Sequence, residues 1–525
     1  MTTVIIEDAQ TDDVDVVIVG SGPCGSAYAR ELHAMAPAAR VLVVEVGPQI
    51  SDPAGSHVKN IADDTLRQQA QLASQGPAPS QVVNGSQPTP GRAGTFLVDG
   101  HPDTADGDGM PAAAMSANAG GMGAHWTCAC PRPGGTERID FLPEAVMGDA
   151  LNRAEELLGV SRDAFDHAPF SSVVRDRLGA EFNNERPPDR RVQPMPLAVR
   201  VDNGQVHWSG ADVVLGDTLA APTVELVTTT LCRRVLTDDN GAVNGVELVD
   251  LPTGRTRRVA ARWVVVAADA LRTPQLLWAS GIRPAALGHY LNDQPQVIAA
   301  VRLDEELVAG HEAEARTTGS GSTSAAQHSG VSWVPFDEEH PFHGQVMQLD
   351  ASPIPLTTDT PVAPGTIVGL GWFCRKDVRA EDAVTFDDTA TDAYGMPAMH
   401  IHYGLTDHDR ASIQGAIKAI RRATKALGTP LDENPIVLPA GTSLHYQGST
   451  RMGPADDGTC VCDTNSQVWG HPGLVVGGNG VIPTSTACNP TLTSVALAVL
   501  GARNIAEQLV DADSDVSNAQ HGGSR

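Results

Sequence analysis

Three groups of residues in this chain have types and spacings that can do chemistry. The first is Val14-Asp-Val-Val-Ile-Val-Gly-Ser-Gly-Pro-Cys-Gly25, in which Gly20, Gly22 and Gly25 follow an apolar strand at G-x-G-x-x-G spacing. That pattern predicts a bound dinucleotide. Gly20 permits the tight turn, Gly22 lets backbone approach a pyrophosphate, and Gly25 lets the next helix pack close to the sheet. Pro23 suits the first helical turn, where its missing N–H costs nothing. The helix through Ala27, Leu32 and Met35 then aims free N–H groups at the phosphates. Glu45, near the end of a second strand, stands where a carboxylate accepts both hydroxyls of a ribose.

The second group is the glycine-rich block Asn118-Ala-Gly-Gly-Met-Gly-Ala-His-Trp-Thr-Cys-Ala-Cys-Pro-Arg-Pro133. Its glycines allow backbone to lie flat against a planar ring system, with His125 and Thr127 facing it. The third group is spread over Ser443 to Gly453, Gly477 to Thr484 and Cys488-Asn-Pro-Thr-Leu-Thr493. Asn489 precedes a helix start, and a fold that closes on itself brings it to one site with His445.

Certain elements must position these residues. A strand over 14–19, a helix after Pro23 and a strand over 40–46 carry the first group. Asp238-Asp-Asn-Gly241 is a hairpin signal inside a two-strand stretch from Val224 to Glu247. Trp263-Val-Val-Val-Ala-Ala268 predicts a buried parallel strand, followed by a helix that stops at Gly281. Strands at Ile367–Phe373 and His400–Tyr403 precede an amphipathic helix from Asp407 to Leu427, and a last helix spans Val495 to Leu509. The expected class is α/β, a Rossmann-type nucleotide domain with a second sheet-plus-helices lobe. The nucleotide domain is expected in three pieces, 10–50, 110–295 and 440–512, and the substrate lobe over 296–439. Residues 51–109 are an excursion that could serve as an oligomerisation arm, with a weakly helical patch at 66–73. The Gly/Ser-rich stretch 310–330 is expected to be a mobile gate, and 513–525 a disordered tail.

Composition excludes other classes. The 525 residues are 41 % apolar and 19 % charged, an ordinary globular balance. A formal charge of −27 repels phosphate backbones and anionic lipid, which argues against nucleic acid or a membrane as partner. No apolar run spans a bilayer and Met1 to Gln10 lack the pattern of a secretory leader, so the expected setting is the cytoplasm. Eight cysteines in a chain of this length are not a disulfide scaffold. Cys128-Ala-Cys130 and Cys460-Val-Cys462 are too tightly spaced for a zinc knuckle, so they are expected to pack as small apolar side chains, with no metal.

Taken together, the motifs resemble those of the glucose–methanol–choline (GMC) flavoprotein oxidoreductases, most closely the pyranose oxidases and their bacterial relatives, the C-glycoside 3-oxidases. The resemblance runs through Gly20/Gly22/Gly25, Gly120-Gly-Met-Gly-Ala-His-Trp-Thr-Cys-Ala, Thr230-Leu-Cys-Arg-Arg-Val and Ala267-Ala-Asp-Ala-Leu-Arg-Thr-Pro-Gln-Leu. It continues through Gly371-Trp-Phe, Thr391-Asp-Ala-Tyr-Gly-Met-Pro, Leu444-His and Asn489-Pro-Thr-Leu-Thr. It therefore covers nearly the whole chain.

The resemblance implies the GMC fold and FAD as cofactor. Glu45 would bind the adenosine ribose, Cys232 the adenine edge through its backbone, and Thr127 the flavin N5/C4a region. Gly20, Gly22, Pro23, Cys24, Gly25, Asn118, Gly121, Met122, His125, Ala267, Asn479 and Thr491 are the other expected cofactor contacts. In fungal relatives the histidine matching His125 bonds covalently to the flavin 8α-carbon. There a threonine precedes it, whereas here Ala124 does, which tilts the expectation toward non-covalent FAD. His445 would be the general base for a substrate hydroxyl and Asn489 its partner, while hydride passes to flavin N5. The implied substrate is a pyranose, oxidised at C2 of a glucose-like aldopyranose, with C3 of a C- or O-glycoside as the alternative. O2, giving H2O2, or a quinone would be the acceptor, and a homo-oligomer is compatible with the family. The rival classes are an NAD-dependent dehydrogenase, which has no use for the Gly120 block, and a non-catalytic flavoprotein, which has no use for His445 and Asn489.

Overall fold

The computed structural model describes residues 12–75, 94–98, 109–165, 168, 170–184, 186–203, 205–309, 330–349 and 365–522. Its architecture is mixed α/β, built on two large sheets.

The first sheet contains β1 (Asp12–Val19), β2 (Val41–Val44), β3 (Val224–Val227), β4 (Thr230–Thr237), β5 (Val243–Asp250) and β6 (Thr256–Val266), in spatial order β4-β5-β6-β1-β2-β3. β1 runs parallel to β6 and to β2, and β2 parallel to β3. β6 is long enough to do two jobs. Its first half pairs antiparallel with β5, and Val264–Val266 pair parallel with Leu474–Val476. The expected hairpin at 238–241 joins β4 and β5. The stretch before it holds one strand more than expected, because Val224–Val227 breaks away to pair with β2.

β1 is buried on both faces, as a parallel strand covered by helices must be. Val16 and Ile18 face a core formed with α1 (Pro23–Met35) and a long C-terminal helix, Thr491–Gly522. Val17 and Val19 face a second core that includes Leu276 and Leu277 of the helix Asp269–Ala279. The C-terminal helix is assigned as far as Gly522; of the tail suggested over 513–525, residues 523–525 lie outside the described residues. A polar segment needs no new nucleus when it prolongs a helix already formed on an apolar face.

The second sheet contains β7 (Gln296–Leu303), β8 (Val331–Val334), β9 (Phe342–Leu349) and β10 (Ile367–Cys374), ordered β7-β10-β9-β8. The period-2 alternation of strands sorts its side chains. Val346, Leu370 and Trp372 pack with Ile413, Ala416 and Ile420 of the helix Asp407–Leu427. His343, Gln345 and Phe373 take the opposite face, with His343 in register with Phe373 and Gln345 with Trp333. The suggested arm over 51–109 is described only in part, with a helix at Asp64–Ala73. The suggested gate, apart from Gly330, lies outside the described residues. Among the described residues no helix is long and apolar enough to cross a membrane.

Candidate active site

The parallel strands of the first sheet all end at one edge, where the chain turns away and leaves a crevice. β1 ends at Gly20, β2 at Glu45, β6 at Ala267 and the strand Leu474–Val476 at Gly477. The ladder closes there through Gly20 N–H to Val44 O (2.8 Å), Ala267 N–H to Val19 O (2.8 Å) and Gly477 N–H to Val266 O (2.9 Å). A cleft with about 1720 Å³ of empty space, counted out to its solvent-open mouth, runs along this edge.

Most of the residues singled out in the sequence line it: Gly20, Gly22, Pro23, Cys24, Glu45, Gly121, Met122, Thr127, Cys232, Ala267, Asn479 and Thr491, together with His445 and Asn489. Gly20 adopts φ +103°, a conformation that favours glycine. A Cβ on Gly22 would meet nothing nearer than the Gly120 carbonyl oxygen at 3.8 Å, so bare backbone faces the cleft. Burial raises the Glu45 pKa, opposed by bonds from Gly47 N–H (2.9 Å), Ser21 Oγ–H (2.7 Å) and Ser21 N–H (3.1 Å). The Val46 backbone adds a further bond, so the carboxylate is held by its own turn while it lines the cleft. Burial also pushes the Cys24 and Cys232 thiols up to about 12, which keeps both protonated and inert.

Three expected contacts stand behind the wall. Gly25 serves helix packing. Asn118 donates to the carbonyls of Ala119 (2.8 Å) and Gly121 (3.2 Å) and so braces the glycine loop from within. His125 Nε2 lies 3.0 Å from Ser74 Oγ and 3.2 Å from Asn118 Oδ1, and the ring's Cε1–Nδ1 edge packs under Gly94. Its position next to Thr127 in sequence says nothing of this, because Ser74 and Gly94 reach it from distant parts of the chain.

The histidine–asparagine pair forms as the sequence suggested. Asn489 Nδ2 is 3.2 Å from His445 Nε2, and Gln294 Oε1 accepts from His445 Nδ1 at 2.7 Å. The second bond leaves the lone pair of a neutral ring on Nε2, the nitrogen at the cleft. The loop that presents His445 is forced into place. Leu444 adopts φ +60°, uncommon for a non-glycine residue. Asp293 holds that turn: its carboxylate accepts from Ser443 Oγ–H, from Gly441 N–H (3.2 Å) and from His445 N–H (3.2 Å). Burial pushes Asp293 up to about 6. On the other side, Glu137 Oε1 accepts from Ala487 N–H (2.7 Å) and Cys488 N–H (3.0 Å), pinning the backbone just before Asn489.

Sequence reasoning missed these supports. It also missed Trp333, His343 and Gln345, which reach the pair from the second sheet: Gln345 Nε2 bonds Asn489 Oδ1 at 2.6 Å, and the Phe373 ring lies 5.3 Å from that of His445. The alternation of His343 and Gln345 along one strand was the signal available. Arg375 contacts Thr136 Oγ1 at 2.5 Å and packs over Phe336. Asp377, His408 and Asp409 bring ligand atoms within 4.8 Å of one another, but their acceptors serve the capping box of the helix Asp407–Leu427.

The chain is similar to known proteins over nearly its whole length. Models described as GMC oxidoreductase match residues 136–296 and 379–498. A C-glycoside 3-oxidase of Arthrobacter globiformis is 58 % identical over 95 % of this chain and 96 % of its own. A pyranose 2-oxidase of Tricholoma matsutake is 33 % identical over 94 % of each chain. Among solved structures, the Aspergillus oryzae formate oxidase superposes with a TM-score of 0.66 at 16 % identity, covering 95 % of this chain and 99 % of that one, a likeness of fold.

Proposed function

We propose, from the premise that this chain belongs to the GMC oxidoreductase family, that it is an FAD-dependent enzyme that oxidises a secondary ring hydroxyl of a sugar, C3 of a glycoside in the first instance. The observation that carries the reading is the His445–Asn489 pair, at 3.2 Å, on the wall of the cleft that the glycine turn and Glu45 also line. The similarity to the A. globiformis enzyme favours C3 over the C2 that the sequence placed first. Similarity to the T. matsutake enzyme keeps C2 of an aldopyranose as the second reading.

The cleft fits FAD. Gly22 offers bare backbone and the N-terminus of α1 to a pyrophosphate. Glu45, at the end of β2, lines the same cleft where a ribose would lie. Gly478, at φ +94°, would place a Cβ in open space on the same wall, room that a planar ring system can use. Thr127, Ala267, Asn479 and Thr491 would complete the cradle. When bound, FAD supplies a hydride acceptor at flavin N5, and O2 or a quinone restores it.

The chain's own residues do the rest. Neutral His445 takes the hydroxyl proton at Nε2 as the carbinol carbon loses hydride, leaving the ketone. Asn489 steadies the oxygen, and Gln294 holds the imidazole in the tautomer that can accept. Eight free cysteines, buried for the most part, suit a reducing compartment and support a cytoplasmic setting.

Replacing the imidazole tests the reading. His445→Ala should slow anaerobic flavin reduction by a glycoside by roughly 10²–10⁴-fold while FAD stays bound, the range for general-base loss. Reduction at the wild-type rate would remove His445 from the mechanism.

A further inference from the structure

We propose that Trp333 and His343 are positioning residues that set the proton count of the site: their hydrogen-bond chain to Asn489 holds one donor too many while His445 is neutral, and protonation of His445 relieves it. The inference rests on the reading of His445 as the base.

The chain has two fixed ends. At one end Trp333 Nε1–H, which can only donate, lies 2.9 Å from His343 Nδ1. A neutral imidazole carries one proton, so His343 must hold it on Nε2. Burial keeps this ring neutral, its pKa pushed down to about 3. Gln345 Nε2 lies 3.1 Å from that same Nε2 and also donates to Asn489 Oδ1. Two N–H donors thus converge on a ring that has only one lone pair to offer. At the other end Gln294 Nε2 donates to the Cys488 carbonyl at 2.8 Å, so Gln294 Oε1 is committed to accepting from His445 Nδ1.

The conflict has one full solution. Turning over the amides of Gln345 and Asn489 lets His343 Nε2–H donate to a carbonyl oxygen and lets the Asn489 NH₂ donate to that same oxygen. The Asn489 oxygen then faces His445 Nε2. With Gln294 Oε1 on Nδ1, both nitrogens of His445 face acceptors, and every contact is satisfied only when both are protonated. That is the state reached when a sugar O–H bond breaks and its proton forms the N–H bond at His445 Nε2, the hydride leaving as in the proposed reaction. An unmade or opposed buried hydrogen bond is costly, so this arrangement favours the product side of the proton transfer.

Among the described residues, the titratable groups facing His445 are His343, across the relay, and Asp293, whose Oδ1 meets the His445 backbone N–H. β10 presents the uncharged Phe373 ring. Asp293 is common to all variants below, so differences between them report the relay.

The test is ¹⁵N-histidine NMR of the FAD-loaded protein across pH, without substrate, the His445 signal being assigned by its loss in His445→Ala. Trp333→Phe frees His343 to move its proton to Nδ1, so the His445 protonation midpoint should fall by about one pH unit, the scale of one hydrogen bond to a charged group. The acid limb of anaerobic flavin reduction should move down with it. His343→Gln, which can accept from Trp333 and donate to Gln345, should keep the wild-type midpoint. A midpoint unmoved in Trp333→Phe, or in His343→Phe should the first variant not fold, overturns the relay. Wild-type reduction by His445→Ala would instead overturn the base assignment, so the two failures are distinguishable.

Discussion

The Cβ that Gly25 lacks would fall 1.9 Å from the carbonyl oxygen of Gly20, whereas the one missing from Gly22 would meet nothing closer than 3.8 Å. Two glycines of one motif therefore answer to different demands, the first to the fold and the second to a ligand. Gly25→Ala should destabilise the protein by about 1–3 kcal/mol or more, because rigid backbone must shift to admit the methyl group. Gly22 already has φ −64° and ψ −179°, open to alanine. Gly22→Ala should leave the melting temperature of the FAD-free protein near wild type and weaken FAD binding. Thermal melting with and without added FAD reads both effects. Equal loss of apo stability in the two variants would contradict the division.

A second prediction concerns His125. Its Nε2 is engaged by Ser74 and Asn118, its Nδ1 edge packs under Gly94, and it does not line the cleft. A covalent bond to the flavin would require the ring to leave these contacts. Acid precipitation of the holoenzyme should give a colourless pellet and a yellow supernatant. A yellow pellet would show a covalent link.

Much of the site was legible in the sequence because the signals are local. Gly20, Gly22, Pro23 and Glu45 belong to one strand-turn-helix-strand unit, so their spacing already encodes their geometry. His445 and Asn489 were legible through motifs, and their approach follows from the chain returning to the same sheet edge. Asp293, Gln294 and Glu137 were not legible, since each acts through backbone or side chains far away in sequence. Trp333, His343 and Gln345 were hidden for a related reason: antiparallel register brings them together, and a sequence does not print its register. His125 was legible only in part. Its neighbourhood in the chain suggested a cofactor contact, while its contacts to Ser74 and Gly94, distant in sequence, could not be read there.

The buried carboxylate of Asp293 makes a pH prediction. Its folded-state pKa of about 6 lies above the ordinary 3.8, so the native state retains a proton that the unfolded state has lost. Stability from this group is present below about pH 4 and declines as pH rises toward 6, by up to about 3 kcal/mol. Asp293→Asn removes the ionisation, so its stability relative to wild type should improve across that window. It also loses acceptor capacity at the Ser443–His445 turn, so flavin reduction should slow at every pH. Chemical denaturation of both proteins between pH 4 and 7 checks the sign; a variant curve parallel to the wild type would contradict it.

The central claim is that this cleft oxidises a ring hydroxyl of a sugar, and anaerobic mixing of the yellow holoenzyme with a panel of alcohols tests it most directly. The panel should contain C-glycosides, O-glycosides, free aldopyranoses, methanol, choline and cholesterol, with the product carbonyl located by ¹³C NMR. The account predicts that a glycoside bleaches the flavin and yields a ketone at C3 with the glycosidic bond intact, while a ketone at C2 of a free sugar would select the second reading. Bleaching by methanol, choline or cholesterol, with none by any pyranose or glycoside, would contradict it.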